Sequence, residues 1–324
     1  MEIIHSINGN GKSHFRDVTM PDITSYGHTK IHTPLNRVGM SGVELPVRMR
    51  NQYGELMTLA ARANFYVSLD DPTAKGIHMS RLYLTAQQLL GKQEIGTKTV
   101  IELLREFIKS QRGLSNQSWV HIWFDLMVQR QSLLSGQAGW RYYPVSFTGY
   151  MDKKSVILDK SVRITYSSTC PCSGALARQV VQKEFKKKFA HQPVVDSETV
   201  FDWLGSDAGM PATPHGQRSF ADVKIRLKDF AHSMSFVELI DLLENGLQTP
   251  VQTAVKREDE QEFAKINGGN LMFCEDAARI LKAVLEAESR VADYRITVQH
   301  LESLHAHDAV AIVTKGVPYG FQPE

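Results

Sequence analysis

Cysteine is scarce. The 324-residue chain has three, an odd number, and two of them stand two residues apart. That pattern does not suit a disulfide framework, so reduced thiols and a cytoplasmic location are expected. An excess of one charge sign is also lacking, since 37 Lys and Arg face 35 Asp and Glu for a formal net charge of +2. Global electrostatics therefore point away from nucleic acid, while leaving room for a local basic pocket that takes a phosphorylated small molecule. No apolar run approaches the roughly 20 residues that span a bilayer, so no membrane partner is expected. The first residues lack a charged segment followed by an apolar core, which argues against a signal peptide. What is present is 42% hydrophobic and 22% charged, the composition of a globular protein with one large domain or two ordinary ones.

The hydrophobic pattern places strands and helices in a repeating order. Residues 1–36 read as an irregular, polar N-terminal arm. Val43, Leu45, Val47 and Met49 alternate with polar neighbours, which predicts a half-buried strand, and 51–54 reads as a hairpin turn before a second strand over 56–69. Met79, Leu82, Tyr83, Ala86 and Leu90 have helical spacing. Thr99-x-x-Glu102 predicts a capping box for the next helix. Strands are expected over 118–129 and 142–151. The pattern then restarts with strands over 154–168 and 217–227 and a capped helix after Ser235-x-x-Glu238. Asn270 is the expected cap of a helix over 271–288, and strands over 295–302 and 309–315 close the chain. The order strand, strand, helix, helix, strand, strand thus appears twice, an α+β arrangement of two antiparallel sheets with helices on one face. A basic helix with Lys183, Lys186, Lys187 and Lys188 and a Gly/Pro/Thr-rich loop interrupt the second unit.

Five stretches carry residues with chemical potential. Cys170-Pro171-Cys172 follows a strand and precedes a helix; alternation would put both thiols on one face, although two small core residues would look the same. His215 sits in a polar loop ahead of Gln217 and Arg218, which suit amide edges and phosphates. Lys256-Arg257-Glu258-Asp259-Glu260 reads equally as a solvated helix start. Glu275 borders the apolar face of the last long helix, as an ordinary first-turn acid or as a partner for an N–C–N donor edge. His305 and His307 link the closing strands, with imidazoles that titrate near neutral pH.

Together these motifs identify a resemblance. Ser-Thr-Cys170-Pro-Cys172-Ser, His215-Gly-Gln217-Arg218-Ser219, Lys256-Arg257-x-Asp259-Glu260, Phe273-Cys-Glu275-Asp276 and Glu302-Ser303-x-His305-x-His307 occur in the same order as in type IB GTP cyclohydrolase I. Residues 38–48 also resemble that family's first strand, so the likeness runs over about 35–318. It implies a tunnelling fold with two tandem ββααββ modules per subunit: a first module over 37–152, a second over 153–318 with an insertion at about 190–214, and a tail at 319–324. It implies homo-oligomers, tetramers, with active sites at subunit interfaces. The implied reaction takes GTP and water to formate and 7,8-dihydroneopterin triphosphate, the first step towards tetrahydrofolate. In it a metal-held hydroxide attacks carbon 8 of guanine. By the same resemblance Cys170, His215 and Glu260 bind one divalent metal, zinc or manganese with iron as a third option, and Cys172 supports them. Glu275 holds the guanine edge, His305 or His307 moves a proton, Gln217 joins the substrate contacts, and Arg48, Arg218, Lys256 and Arg257 face the triphosphate.

The chain departs from that family in two places. Position 258 is Glu where the family often has Pro, which sets a second acid beside Glu260, and the segment between Cys172 and His215 is long. Three rivals compete with the main reading. One is a related cyclohydrolase that yields a cyclic-phosphate pterin. Another is a non-catalytic purine- or pterin-binding protein. The third is a structural zinc site with Cys172 as fourth ligand.

Overall fold

The structure is a computed structural model that describes residues 29–324; most of the expected N-terminal arm, residues 1–28, lies outside the described residues. Strands β1 (Leu35–Arg50) and β2 (Leu56–Leu69) form a long hairpin whose turn uses Gly54 at φ 81°, a left-handed conformation that glycine adopts without steric cost. Helices α1 (Met79–Leu90) and α2 (Thr97–Ser110) follow, then β3 (Ser118–Gln131) and β4 (Ala138–Met151). The second half runs β5 (Val156–Thr169), α3 (Pro171–Lys188), α4 (Ser197–Leu204) and β6 (Gly216–Leu227). It then continues through α5 (Phe236–Leu247), α6 (Arg257–Gly269), α7 (Cys274–Ala287), β7 (Val291–His300) and β8 (Ala309–Thr314).

All eight strands belong to one antiparallel sheet in sequence order. This corrects the expected tunnelling fold of two tandem ββααββ modules with separate sheets. The four residues 152–155 join β4 to β5, with Asp152 Oδ1 accepting the amides of Lys154 and Ser155 at 2.7 Å each. A turn that short holds the two strands side by side, and they pair from Val145↔Val162 to Met151↔Val156. The second half also departs from a two-helix unit. It carries five of the seven helices found among the described residues.

Alternation builds the core. Val47, Ala63, Phe65, Val67, Ile122, Phe147, Ile164, Val223, Ile225, Ile296 and Val298 are buried along the strands. Val100, Leu103, Leu104 and Phe107 of α2 cover the first half, and Leu239, Leu243, Leu281 and Leu285 of α5 and α7 cover the second, all in one cluster. Each buried side chain of this size contributes on the order of 2 kcal/mol. Phe185, Phe189 and Trp203 make a small separate aromatic cluster that pins α4 to α3. The opposite side of the sheet holds a broad cavity of about 1130 Å³ lined by Glu44, Arg62, Trp123, Asp222 and Lys224. Among the described residues no helix is long and apolar enough to cross a membrane.

Local signals were realised unevenly. Ser235 and Glu238 form the expected capping box. Thr99 does not cap its helix: α2 begins at Thr97, and the Thr99 hydroxyl donates to the Glu94 carbonyl at 2.6 Å. Asn270 likewise does not cap the last helix, which starts at Cys274, where Asp276 Oδ2 accepts the Phe273 amide at 3.0 Å.

Candidate active site

Register brings the candidate residues to one end of the sheet. Thr169, the last residue of β5, pairs with Gly216, the first of β6. Ser219 of β6 pairs with His300, the last residue of β7, which in turn pairs with Ala309 at the start of β8. Cys170, His215 and the 301–308 connection therefore emerge side by side. The Met272 amide donates to the Thr169 carbonyl at 3.1 Å and brings the start of α7 to the same end.

The chain turns at Cys170, extended at φ −67° and ψ 125°, and Pro171 opens α3 at a position where a missing N–H costs nothing. This corrects the expectation that alternation aligns the two thiols, because the strand has already ended; Cys172 is exposed on the first helical turn. Both still line one cavity of about 430 Å³, together with His215, Glu302, His305 and His307. The His215 amide donates to Ser173 Oγ at 3.0 Å, which fixes the loop against the helix start. The His305 and His307 rings stack with centroids 5.2 Å apart.

His215 Nε2 is buried and has no hydrogen-bond partner among the described residues; the Glu302 carboxylate lies 3.8 Å away, beyond hydrogen-bond reach. A buried, unsatisfied imidazole nitrogen in a cavity with a thiol is the donor type a divalent metal takes. The fit is partial. Glu260, the third expected ligand, is exposed on the first turn of α6 and lines a neighbouring cavity of about 520 Å³ with Gln217 and Arg218. Among the described residues no three His, Cys, Asp or Glu side chains stand close enough to hold a metal. Gln217 links the two cavities, since its Nε2 donates to Glu302 Oε1 at 3.4 Å.

Glu275 is exposed and lines neither cavity. It is nonetheless close: burial pushes the Cys274 thiol up to about 11, and the Glu275 carboxylate adds to that rise. Burial lowers His300 to about 4 against the pull of the same carboxylate, so that ring is neutral near pH 7. Lys256 and Arg257 are exposed at the head of α6, and Asp259 beneath them is buried. Its carboxylate accepts the amides of Leu134, Ser135 and Lys256 at 2.7, 2.9 and 2.8 Å, a structural role that ties α6 to the β3–β4 turn. Arg48 is not brought in. It lies on β1, at the far edge of the sheet, where its Nη1 donates to the Lys92 carbonyl at 3.1 Å.

Glu302 is the residue that the motif reading left without a role. The acid stands at the head of the His305 motif, but only the pairing of β6 with β7 aims it at His215 and Gln217.

A family model described as Type I GTP cyclohydrolase folE2 matches residues 20–311. The chain belongs to that family. GTP cyclohydrolase FolE2 of Hydrogenovibrio crunogenus is 47% identical over 305 residues, covering 94% of this chain and 97% of that protein. The protein of the same name from Pseudoalteromonas translucida is 46% identical over 303 residues, covering 94% and 100%. Solved structures similar in shape to this folE2-family chain include uricase from Arthrobacter globiformis, with a TM-score of 0.51, 10% identity and coverage of 90% and 97%. Urate oxidase from Bacillus sp. TB-90 gives 0.50 at 7% identity, covering 86% and 98%. Those likenesses show the fold alone. They complete the correction above: the fold is uricase-like, built on one eight-stranded sheet.

Proposed function

We propose that this chain is a GTP cyclohydrolase I, converting GTP and water to formate and 7,8-dihydroneopterin triphosphate in folate biosynthesis. The observation that carries the site assignment is convergence. Cys170, His215, His305 and His307, scattered over the second half of the sequence, line one cavity in a chain of this family.

The roles follow from chemistry and placement. Cys170 and His215, with Glu260 from the adjoining cavity, are the residues that would hold one divalent metal, zinc or manganese, with iron as a further option. Such an ion supplies Lewis acidity and brings the pKa of a bound water towards roughly 7. Cys172 stands beside Cys170 as its supporting thiol. Glu302 faces His215 and accepts from Gln217, which orients both. Glu275, at the head of α7, offers two oxygens to the guanine N–C–N edge. His305 and His307, which line the same cavity, would deliver a proton to the imidazole ring nitrogen as the ring opens. Arg218 lines the second cavity, and Lys256 and Arg257 are exposed at the head of α6, whose Glu260 lines it too; these are the cationic groups a triphosphate would meet. Arg48 would serve from the edge of a neighbouring copy, in line with active sites at interfaces of a homotetramer. The cytoplasm is the proposed compartment, because all three cysteines are unpaired and thiolate ligands must stay reduced.

The test is incubation of the purified chain with GTP and Zn²⁺ or Mn²⁺, with and without chelator, following formate and the fluorescence of the oxidised pterin. Metal-dependent release of both is expected. A cyclic-phosphate pterin would reassign the product, and absence of turnover by metal-loaded protein would overturn the reading. Glu275→Gln should retain metal and lose at least about a hundredfold in kcat/KM, since an amide cannot accept both N–H groups of the guanine edge. Near-normal turnover would remove Glu275 from its role.

A further inference from the structure

One step down β5, β6 and β7 from the cavity, four side chains that have no role in the scheme above form a single hydrogen-bonded chain. Ser219 Oγ lies 2.7 Å from Ser168 Oγ, Ser168 Oγ lies 3.2 Å from His300 Nδ1, and His300 Nε2 lies 2.9 Å from the Tyr166 hydroxyl. All four are buried, none more than 2% exposed. A neutral imidazole has one donor and one acceptor nitrogen, so both nitrogens of His300 are satisfied and its ring orientation is fixed.

Stability alone does not call for this arrangement. Replacing both partners of a buried hydrogen bond by apolar groups of the same shape is close to neutral, and the surrounding core is apolar. Location gives it a second meaning. Ser168 is two residues before Cys170, Ser219 is two after Gln217, and His300 is two before Glu302. Strands β5, β6 and β7 each place one member two residues from a site residue, and β5 adds Tyr166 two residues further in.

We propose that Tyr166, His300, Ser168 and Ser219 form a positioning bracket that locks the ends of β5, β6 and β7 together, so that Cys170, His215, Gln217 and Glu302 meet the substrate at a fixed spacing. The bracket rests on the GTP cyclohydrolase reading of the cavity. A fully satisfied buried network of this kind rigidifies what it joins, and reacting groups lose rate steeply when displaced.

Full-length, metal-loaded protein carrying Ser168→Ala, His300→Phe, His300→Asn or Tyr166→Phe distinguishes positioning from simple packing. Steady-state turnover of GTP is measured beside metal content, thermal midpoint and oligomeric state. Ser168→Ala and His300→Phe should lower kcat about 10- to 100-fold. KM should stay within about twofold and metal content should be retained. His300→Asn, whose amide can still meet Ser168, should recover part of kcat. Tyr166→Phe, which removes the bond farthest from the cavity, should lose least. A lowered thermal midpoint with unchanged kcat per folded, metal-loaded enzyme would overturn the bracket. If His300→Phe does not fold, Ser168→Ala decides in the same way, since it removes a single oxygen. Wild-type protein without turnover overturns the functional reading and the bracket with it, whereas active wild type with kcat indifferent to these changes overturns the bracket alone.

Discussion

At the scale of single residues, the centre of interest is an imidazole nitrogen with no hydrogen-bond partner among the described residues. His215 Nε2 is buried, and the nearest acid stops short of it at 3.8 Å. An unpaired buried polar atom costs about 1–3 kcal/mol, a cost that a metal would relieve. Cys170 and Cys172 therefore part company in a testable way. Cys170→Ser should abolish stoichiometric metal, because a hydroxyl replaces a thiolate at a soft donor position. Cys172→Ser should keep the metal while weakening its affinity about 10- to 100-fold, the usual effect of a supporting group. Metal analysis after dialysis against a graded chelator series checks both. Equal loss from the two variants would make the thiols joint ligands, and full retention by Cys170→Ser would remove it from the set. Most of these residues were legible in the sequence, because Cys170, Cys172, His215, His305 and His307 come in distinctive short motifs. The roles of Glu302, Ser168, Ser219 and His300 were not, although the first three stand within those motifs. Each is an ordinary polar residue in a strand or its exit, and its partners are set by inter-strand register, which no local motif encodes.

Elements in this fold are held to one another by charge as well as by apolar contact. Glu244 of α5 sits 3.0 Å from Arg141 of β4 and accepts the Tyr143 hydroxyl at 2.9 Å, while Arg130 of β3 joins through Tyr143 and Asp241. Arg141 and Glu244 are both under 10% exposed. Burial, with the Glu244 charge beside it, pushes the Tyr143 hydroxyl up to about 12. Removing one partner strands the others, so Glu244→Ala should cost about 3–5 kcal/mol in urea unfolding. Glu244→Gln, which can still accept from Tyr143, should cost less. A Glu244→Ala loss under about 1 kcal/mol would mean that water or a rearranged Asp241 takes the carboxylate's place. Alternation and helical spacing located the strands and helices that this network joins, because burial imposes those periods directly. Caps were less legible. Ser235 caps because the chain arrives extended beside Glu238, whereas the Thr99 hydroxyl is taken by the Glu94 carbonyl. The start of α6 was legible in the charged run at 256–260, but not that Asp259 faces inward, where two amides of the β3–β4 turn and the amide of Lys256 hold it.

For the whole molecule, the decisive fact is that the sheet is one and open. A pattern of strands and helices repeated twice looks the same in two sheets or in one; the short 152–155 turn and the β4–β5 ladder make it one, and α5 and α6 reach back to β4 and to the β3–β4 turn. Among the described residues the result leaves two unpaired edges, the long β1 and the short β8, in a single copy. Edges of that kind are templates for further pairing. On β8 the side chains of Ala309, Ala311 and Val313 pack on the core, while Val310 and Ile312 are 56% and 44% exposed on the opposite face. Arg48 on β1 lies at the other edge from the cavity it is expected to serve. Both observations are resolved if copies join edge to edge, covering Val310 and Ile312 and carrying one copy's β1 towards another's cavity. Light scattering on the eluted protein should then give an integral multiple of the chain mass, four by expectation. Lysines at 310 and 312 should shift the protein to monomer, since charge on an edge strand opposes pairing, without unfolding it. Turnover should fall in step with the oligomer as the protein is diluted. A wild-type monomer with full turnover would overturn the shared-site assembly and leave Arg48 with only its local contact to Lys92.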